Sequence, residues 1–244
     1  MTALAYTYSK AMLSAYYFGY LDLAGLAAER CCWAAARSGD PLWSVAAEYN
    51  RALILLYAGA YSAGLRVIDR AYVDTEHLPT GSNMLAVRGA LHLRGSILSA
   101  RAADVQTAQA HLSGAREIAS ALGDARFDHY GTGLRSSNVD IHSVSVPVEL
   151  SDGTTAVTRA VELHLTPGIA PSRVGHHHID VSRAWLLHGD RDRAFADLQQ
   201  ARRVAPELTR YHPQVHETIR ALMHAHRHRN NTLAGYARWA GVRW

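Results

Sequence analysis

The chain has 244 residues, of which 48% are hydrophobic and 19% charged, a composition typical of a globular protein and not of a disordered one. The net charge is +4, but the arginines are scattered beside acidic residues and Lys10 is the only lysine. Because a nucleic-acid interface normally needs a clustered basic face, direct binding to DNA is not favoured. No run of about 18 apolar residues occurs, which argues against a membrane span.

The N-terminal sequence lacks the basic start, long apolar run and small-residue cleavage site of a secretion signal. Cys31 and Cys32 are adjacent, and no second pair exists, so no disulfide framework can be drawn. We therefore expect a cytoplasmic protein in which both cysteines fill small core positions.

Taken in chain order, five helical patterns alternate with turns that carry Gly or Asp. The first helices cover approximately residues 3–18, 41–58, 83–101, 134–150 and 171–188. After each turn comes a small–apolar–small triplet at spacings of four and three, which places its members on one helix face where a neighbour can approach closely. The triplets are Ala24/Ala28/Cys31, Gly64/Ile68/Ala71, Ala108/Leu112/Ala115, Ala156/Ala160/Leu163 and Ala194/Leu198/Ala201.

This pattern predicts five helical hairpins, over approximately residues 3–38, 41–78, 83–122, 134–165 and 171–205. Asp40 before Pro41 suits a helix start, and Ser82 and Pro171 can begin the third and fifth hairpins in the same way. Two capping helices, at 213–229 and 231–241, would seal the apolar end of the stack. All of this is predicted to form one domain over residues 1–244.

The fourth hairpin departs from the pattern. Pro147 lies inside its first helix and predicts a kink, while Ser151 takes the place of the turn glycine. The β-branched run "VSVPVEL" could be a strand, but no partner strands lie nearby, so we expect a buried helix. Before this hairpin, residues 123–138 contain three glycines and predict a long, irregular connection.

The repeat resembles the tetratricopeptide repeat (TPR), which implies an all-α, right-handed superhelix of about five hairpins. The fifth hairpin fits best, with His178 in the aromatic position, Ser182 small, Trp185 aromatic, Gly189 in the turn and Pro206 closing the unit. The stretches "AAARSGDPL", "SSNVDIHSVSVPVEL", "HHHIDVSRAWLLHGDRDRA" and "ARRVAPELTRYHPQVHETIRAL" make the chain similar to the C-terminal TPR half of actinobacterial XRE-type (Cro/C1-like) transcriptional regulators. The TPR-like pattern begins within a few residues of Met1, so the helix-turn-helix of such regulators is not expected here. The chain is then either a sensor fragment or a stand-alone relative without DNA binding.

The resemblance implies that the first helix of each hairpin lines a concave groove. The ligand-binding residues implied by that register are Tyr17, Tyr49, Tyr57, Arg101, Asn138, Ser145, Glu149, His176 and Arg183. A wall of tyrosines with a few amide and charged groups suits a peptide, a small molecule or a protein partner. DNA would be contacted only through a separate or missing helix-turn-helix domain, no membrane partner is expected, and a homodimer is compatible with the sequence. In the alternative reading, the tyrosines are packing residues with solvated hydroxyls.

The histidines do not predict a metal site. His176, His177 and His178 are consecutive and would point in three directions on a helix, whereas His212/His216 and His224/His228 have the i, i+4 spacing but no matching third ligand. The signatures GxSxG, GxxxxGK[ST] and HExxH are absent, and no cofactor is implied. A binding domain is therefore the leading hypothesis. An enzyme or enzyme-accessory protein that uses Asn138, Glu149, His176 and Arg183 is the alternative.

Overall fold

A computed structural model describes residues 1–123, 129–225 and 231–243, and within these ranges the protein is helical and contains no strand. The all-α repeat fold expected from the sequence is confirmed. The helices are α1 (Thr2–Tyr17), α2 (Leu21–Ala35), α3 (Pro41–Tyr57), α4 (Tyr61–Glu76), α5 (Ser82–Arg101), α6 (Val105–Leu122), α7 (Ser136–Glu149), α8 (Gly153–Glu162), α9 (Pro171–His188), α10 (Arg191–Val204), α11 (Pro206–Tyr211), α12 (Pro213–Ala225) and α13 (Asn231–Trp239). None of these helices is both long enough and apolar enough to cross a membrane.

The chain divides into two compact units. The first comprises Met1–Tyr16 and Tyr20–His142, and the second comprises Tyr17–Gly19 and Ser143–Trp244. In the first unit, α3 packs against α2, α4 and α5, and α5 packs against α6. In the second unit, α9 packs against α8, α10, α11 and α12. The single domain over residues 1–244 stays a prediction.

One turn recurs between the two helices of all five hairpins. Each time, a backbone N–H donates to the carbonyl five residues earlier: Tyr20 to Ala15, Ala60 to Leu55, Asp104 to Ser99, Asp152 to Pro147 and Asp190 to Trp185, at 2.8–2.9 Å. Of the two hydrogen bonds that define a Schellman motif, this is the one that spans five residues. The residue before its donor adopts a left-handed conformation. Gly19, Gly59, Ala103, Ser151 and Gly189 occupy that position, with φ between +60° and +98°. The predicted turns therefore form even where the chain has no glycine.

The three aspartates that follow such turns also start the next helix. Asp104, Asp152 and Asp190 each accept a bond from a backbone N–H three residues later, at 2.9–3.0 Å. Each aspartate thereby satisfies a backbone donor that the first helical turn would otherwise leave without an acceptor. In the fifth hairpin, Gly189 thus ends α9 and Asp190 starts α10.

The small–apolar–small triplets are the packing faces of the second helices. Every member of the first, second, third and fifth triplets is buried. In the fourth triplet only Ala156 is fully buried, whereas Ala160 and Leu163 are partly exposed. This hairpin has the shortest second helix of the five, because α8 ends after 10 residues at Glu162.

Helix α7 forms in spite of its β-branched sequence, as predicted, and it runs through Pro147 to Glu149. Proline has no N–H, so it cannot donate to the carbonyl of Ser143, four residues earlier. Arg159 of α8 instead donates from Nη1 to that oxygen at 2.8 Å. A side chain of the second helix thus replaces a backbone donor that the first helix lacks.

The irregular connection predicted over residues 123–138 is confirmed for residues 129–135, which are not helical. It is wrong for residues 136–138, which form the first turn of α7, and residues 124–128 lie outside the described ranges. Tyr130 packs its ring 5.2 Å from that of Trp43 and donates its hydroxyl to Asp40 Oδ2 at 2.9 Å. Asp40 also accepts from the backbone N–H of Leu42 at 3.0 Å, so it is the predicted N-cap of α3. The connection is therefore fastened to the start of α3.

The fifth hairpin ends directly before Pro206, as predicted, because α10 ends at Val204. Pro206 also starts the short helix α11, which was not predicted, since proline is well suited to the first helical position. Helices α12 and α13 correspond to the two predicted capping helices. The predicted extension of the first of them over residues 226–229 lies outside the described residues.

Candidate functional site

A polar network joins three helices of the second unit. The Arg183 guanidinium on α9 donates to both carboxylate oxygens of Glu149 on α7, at 2.8 and 3.3 Å, and also lies 3.4 Å from Asp180 Oδ1. Ser145 on α7 donates its hydroxyl to the other oxygen of Asp180 at 2.5 Å, and the Gln214 amide on α12 donates to Glu149 at 3.1 Å. We call these five residues the Arg183 network.

The network is partly shielded from water. The side chains of Arg183, Asp180 and Glu149 are 20%, 15% and 9% exposed. A guanidinium that donates two N–H groups to one carboxylate is held in both position and plane, and such charge-assisted bonds are stronger than neutral ones. Glu149 therefore acts here as an anchor for Arg183 and Gln214.

The structure brings together three of the residues implied by the resemblance: Ser145, Glu149 and Arg183. Asp180 and Gln214 were not expected. Asp180 lies three residues before Arg183, a spacing that places the two on one helix face and could have indicated it. Gln214 carries no such signal, since it is 65 residues from Glu149.

His176 and Tyr17 also lie in the second unit. The ring of His176 is 6.4 Å from that of Tyr17 and 5.1 Å from that of His212, measured between centroids. These edge-to-face and tilted contacts are typical aromatic packing geometries. In these contacts His176 packs against the rings of Tyr17 and His212.

In the first unit, Tyr49 and Tyr57 both belong to α3. Tyr49 is buried, and the Arg94 guanidinium lies over its ring at 4.6 Å. The hydroxyl of Tyr57 contacts that of Tyr16, with the ring centroids 4.8 Å apart. Half-buried Arg101 ends α5. The tyrosines are therefore engaged in packing as well as in polar contacts.

Asn138 has a structural role in the first unit. It is 5% exposed in the first turn of α7, and its amide donates to the carbonyl of Gly133 at 3.0 Å. This bond ties the irregular connection to α7. The groove position implied for Asn138 is therefore occupied by a buried side chain that bonds the Gly133 carbonyl.

The consecutive histidines point in three directions, as expected from a helix. His176 contacts aromatic rings, His178 Nδ1 bonds Asp197 Oδ1 at 2.8 Å, and His177 is 5% exposed. Burial lowers the pKa of His177 to about 4, with a smaller contribution from His178. His216 bonds the Arg210 carbonyl at 2.7 Å and His228 lies outside the described residues. Over residues 1–123, 129–225 and 231–243 no group of three His, Cys, Asp or Glu side chains could hold a metal ion.

No model of a protein family matches the sequence, and no curated protein matches it either. Among solved structures, the chain is similar to that described as "Crystal structure of BtubC (BKLC) from P. vanneervenii". The identity is 14%, the match covers 86% of this chain and 93% of the other, and the TM-score is 0.44. A likeness at this level supports neither a fold assignment nor a function.

Proposed function

We propose that this chain is a TPR-type binding domain of the kind found in transcriptional regulators, which senses a peptide, a small metabolite or a partner protein through the first helices of its hairpins. The Arg183 network is the observation that carries this proposal. Its charged groups and the Ser145 hydroxyl join the first helices of the fourth and fifth hairpins. In the family that this chain resembles, the first helices of the hairpins line the groove.

Stability alone does not account for such a network. Replacing a largely buried ion pair with apolar residues of similar volume is often neutral or stabilising, because the ions must be stripped of water. The apolar core of the second unit is formed by other residues, among them Ala184, Ala194, Leu198 and Ile219, all fully buried. A network that is retained despite this desolvation cost is suited to ligand recognition, because its fixed charges can select the ligand.

The contacts favour binding over the enzyme alternative. Glu149 accepts from Arg183 and Gln214, while His176 packs on aromatic rings. A general base must reach the proton that it removes, and a carboxylate anchored by a guanidinium and an amide is suited instead to holding those donors. Asn138 belongs to the first unit and bonds Gly133.

The double variant Glu149→Leu/Arg183→Met tests this proposal, because it should keep the fold while removing the charges. The wild-type protein would be used to select from a displayed library of random linear peptides and analysed by native mass spectrometry for a co-purified small molecule. We expect a selected peptide or an adduct that the double variant loses and that Arg193→Met, on the exposed side of α10, retains. Equal retention by the double variant, or no peptide and no adduct with the wild type, would refute the proposal.

A further inference from the structure

A cleft in the second unit lies apart from the Arg183 network. It has a volume of about 490 Å³ and is bounded by α8, residues 163–165, α9 and α10. Val181 and Trp185 of α9 line it, whereas Arg183 lies between them in sequence and belongs to the network. On a helix of 3.6 residues per turn, positions two apart are about 200° apart, so the cleft and the network occupy opposite sides of α9.

The cleft exists because the fourth hairpin is short. Helix α8 ends at Glu162, and the chain then leaves the helical path before it would cover α9. Ala160 and Leu163, which the triplet pattern places in the packing face, line the cleft instead, together with Leu165, Val181 and Trp185. Six of the ten lining residues are therefore apolar, and the volume is in the range of pockets that bind small organic molecules.

Four polar residues complete the wall: His177 and His178 of α9, Asp197 of α10, and His164 beyond the end of α8, whose Nδ1 bonds the Glu162 carbonyl at 2.9 Å. His178 Nδ1 and Asp197 Oδ1 are 2.8 Å apart, and both side chains are 20% exposed. A carboxylate oxygen accepts hydrogen bonds, so the proton in this contact lies on Nδ1 of His178, and the neutral tautomer with that proton carries its lone pair on Nε2. Asp197 thus presents His178 as a hydrogen-bond acceptor.

His177 adds a neutral polar surface beside His178. It lines the cleft and is 5% exposed, and its Nδ1 is buried with no hydrogen-bond partner in the described ranges. Buried polar atoms in proteins are nearly always bonded, to protein or to another molecule. A cleft that combines apolar side chains with three imidazoles and a fixed tautomer is the arrangement of a binding site, and the packing of the repeat does not require it.

We propose that this cleft binds a small, largely apolar molecule that carries one hydroxyl group, with the hydroxyl donating to Nε2 of His178 and the apolar body against Val181 and Trp185. A hydroxyl matches the acceptor that Asp197 fixes. The site is independent of the Arg183 network and of the function proposed for it.

The probes are β-naphthol and its methyl ether, which have nearly the same apolar body but differ in the hydroxyl donor. Isothermal titration calorimetry of the full chain should show that naphthol binds about threefold to tenfold more tightly than the ether, the effect of one net hydrogen bond. Long-range proton–nitrogen correlation spectra should show the Nε2 resonance of His178 shift with naphthol and not with the ether. This readout on the wild type does not depend on a variant folding.

Two variants test the proposed contacts of the hydroxyl and of the apolar body, and a third variant is a control. His178→Ala should reduce naphthol affinity to that of the ether, Ala160→Trp should fill the cleft and abolish both, and His224→Ala, an exposed histidine on α12, should change neither. Equal affinity for the two probes, an unchanged affinity in His178→Ala, or no binding of either probe to the wild type would overturn the proposal.

Discussion

The turn of the third hairpin should be stabilised by a glycine that it does not have. Ala103 occupies the left-handed position of its Schellman motif, with φ +60°, where the other hairpins have Gly19, Gly59 and Gly189 or the polar Ser151. A non-glycine residue pays roughly 1–2 kcal/mol in this conformation. Ala103 is exposed, so its methyl group contributes little packing in return.

Ala103→Gly removes this strain but lets the unfolded chain sample more conformations, which costs about 0.4–1 kcal/mol. The net expectation is a gain of about 0.5–1 kcal/mol in the free energy of unfolding. Gly59→Ala is the matched reverse change. Its turn has the same hydrogen bond, its φ is +72°, and an added Cβ would meet nothing within 4 Å. It should therefore lose a similar amount through backbone strain alone.

Urea denaturation followed by circular dichroism measures both changes. With a slope of about 2 kcal/mol per molar, the midpoint should rise by roughly 0.3–0.5 M for Ala103→Gly and fall by a similar amount for Gly59→Ala. An Ala103→Gly protein no more stable than wild type, together with a neutral Gly59→Ala, would refute the argument that these turns share one strained position.

Arg183→Ala should lower the free energy of unfolding by about 2 kcal/mol, less than for a fully buried pair because the arginine is 20% exposed; a urea midpoint equal to that of wild type would contradict this. Tyr236→Phe deletes a buried hydroxyl that donates to the Leu198 carbonyl at 2.6 Å and should cost about 1 kcal/mol in the same assay, whereas Tyr211→Phe, at an exposed tyrosine, should cost almost nothing. The folded state should also weaken as the pH falls from 6.5 to 4, because unfolded His177 takes up a proton near 6.5 and the folded residue only near 4. The resulting loss in the free energy of unfolding is at most about 3 kcal/mol, and His177 causes no such loss above pH 6.5. A His177→Asn protein should show a flatter pH dependence of the urea midpoint, and an unchanged dependence would be evidence against a neutral, buried His177.

The hairpins could be predicted from the sequence because their determinants are local. The triplet spacing of Ala194, Leu198 and Ala201 specifies one helix face, and Gly189 followed by Asp190 specifies a helix end and a helix start. Ala103 and Ser151 lack the glycine signal, yet the turn geometry imposed by the two flanking helices overrides their preference. Local patterns therefore sufficed for element type even where one residue opposed it.

The polar contacts could not be predicted to the same degree because they join distant positions. Glu149 and Gln214 are far apart in sequence, and so are His178 and Asp197, so neither pair has a spacing that would reveal it. The register of the resemblance placed Ser145, Glu149 and Arg183 on the same side but could not name Asp180 as the residue that links two of them. It also could not show that Asn138 is buried against the backbone of Gly133.

The bond from Arg159 to the Ser143 carbonyl also bears on how this chain can change by mutation. While Pro147 is present, losing Arg159 removes the donor that α8 provides at the interrupted part of α7. Replacing Pro147 first would restore a backbone donor to the same oxygen and make the arginine dispensable. The two positions can therefore diverge more easily in one order than in the other, and descendants of this sequence should lose the proline before they lose the arginine.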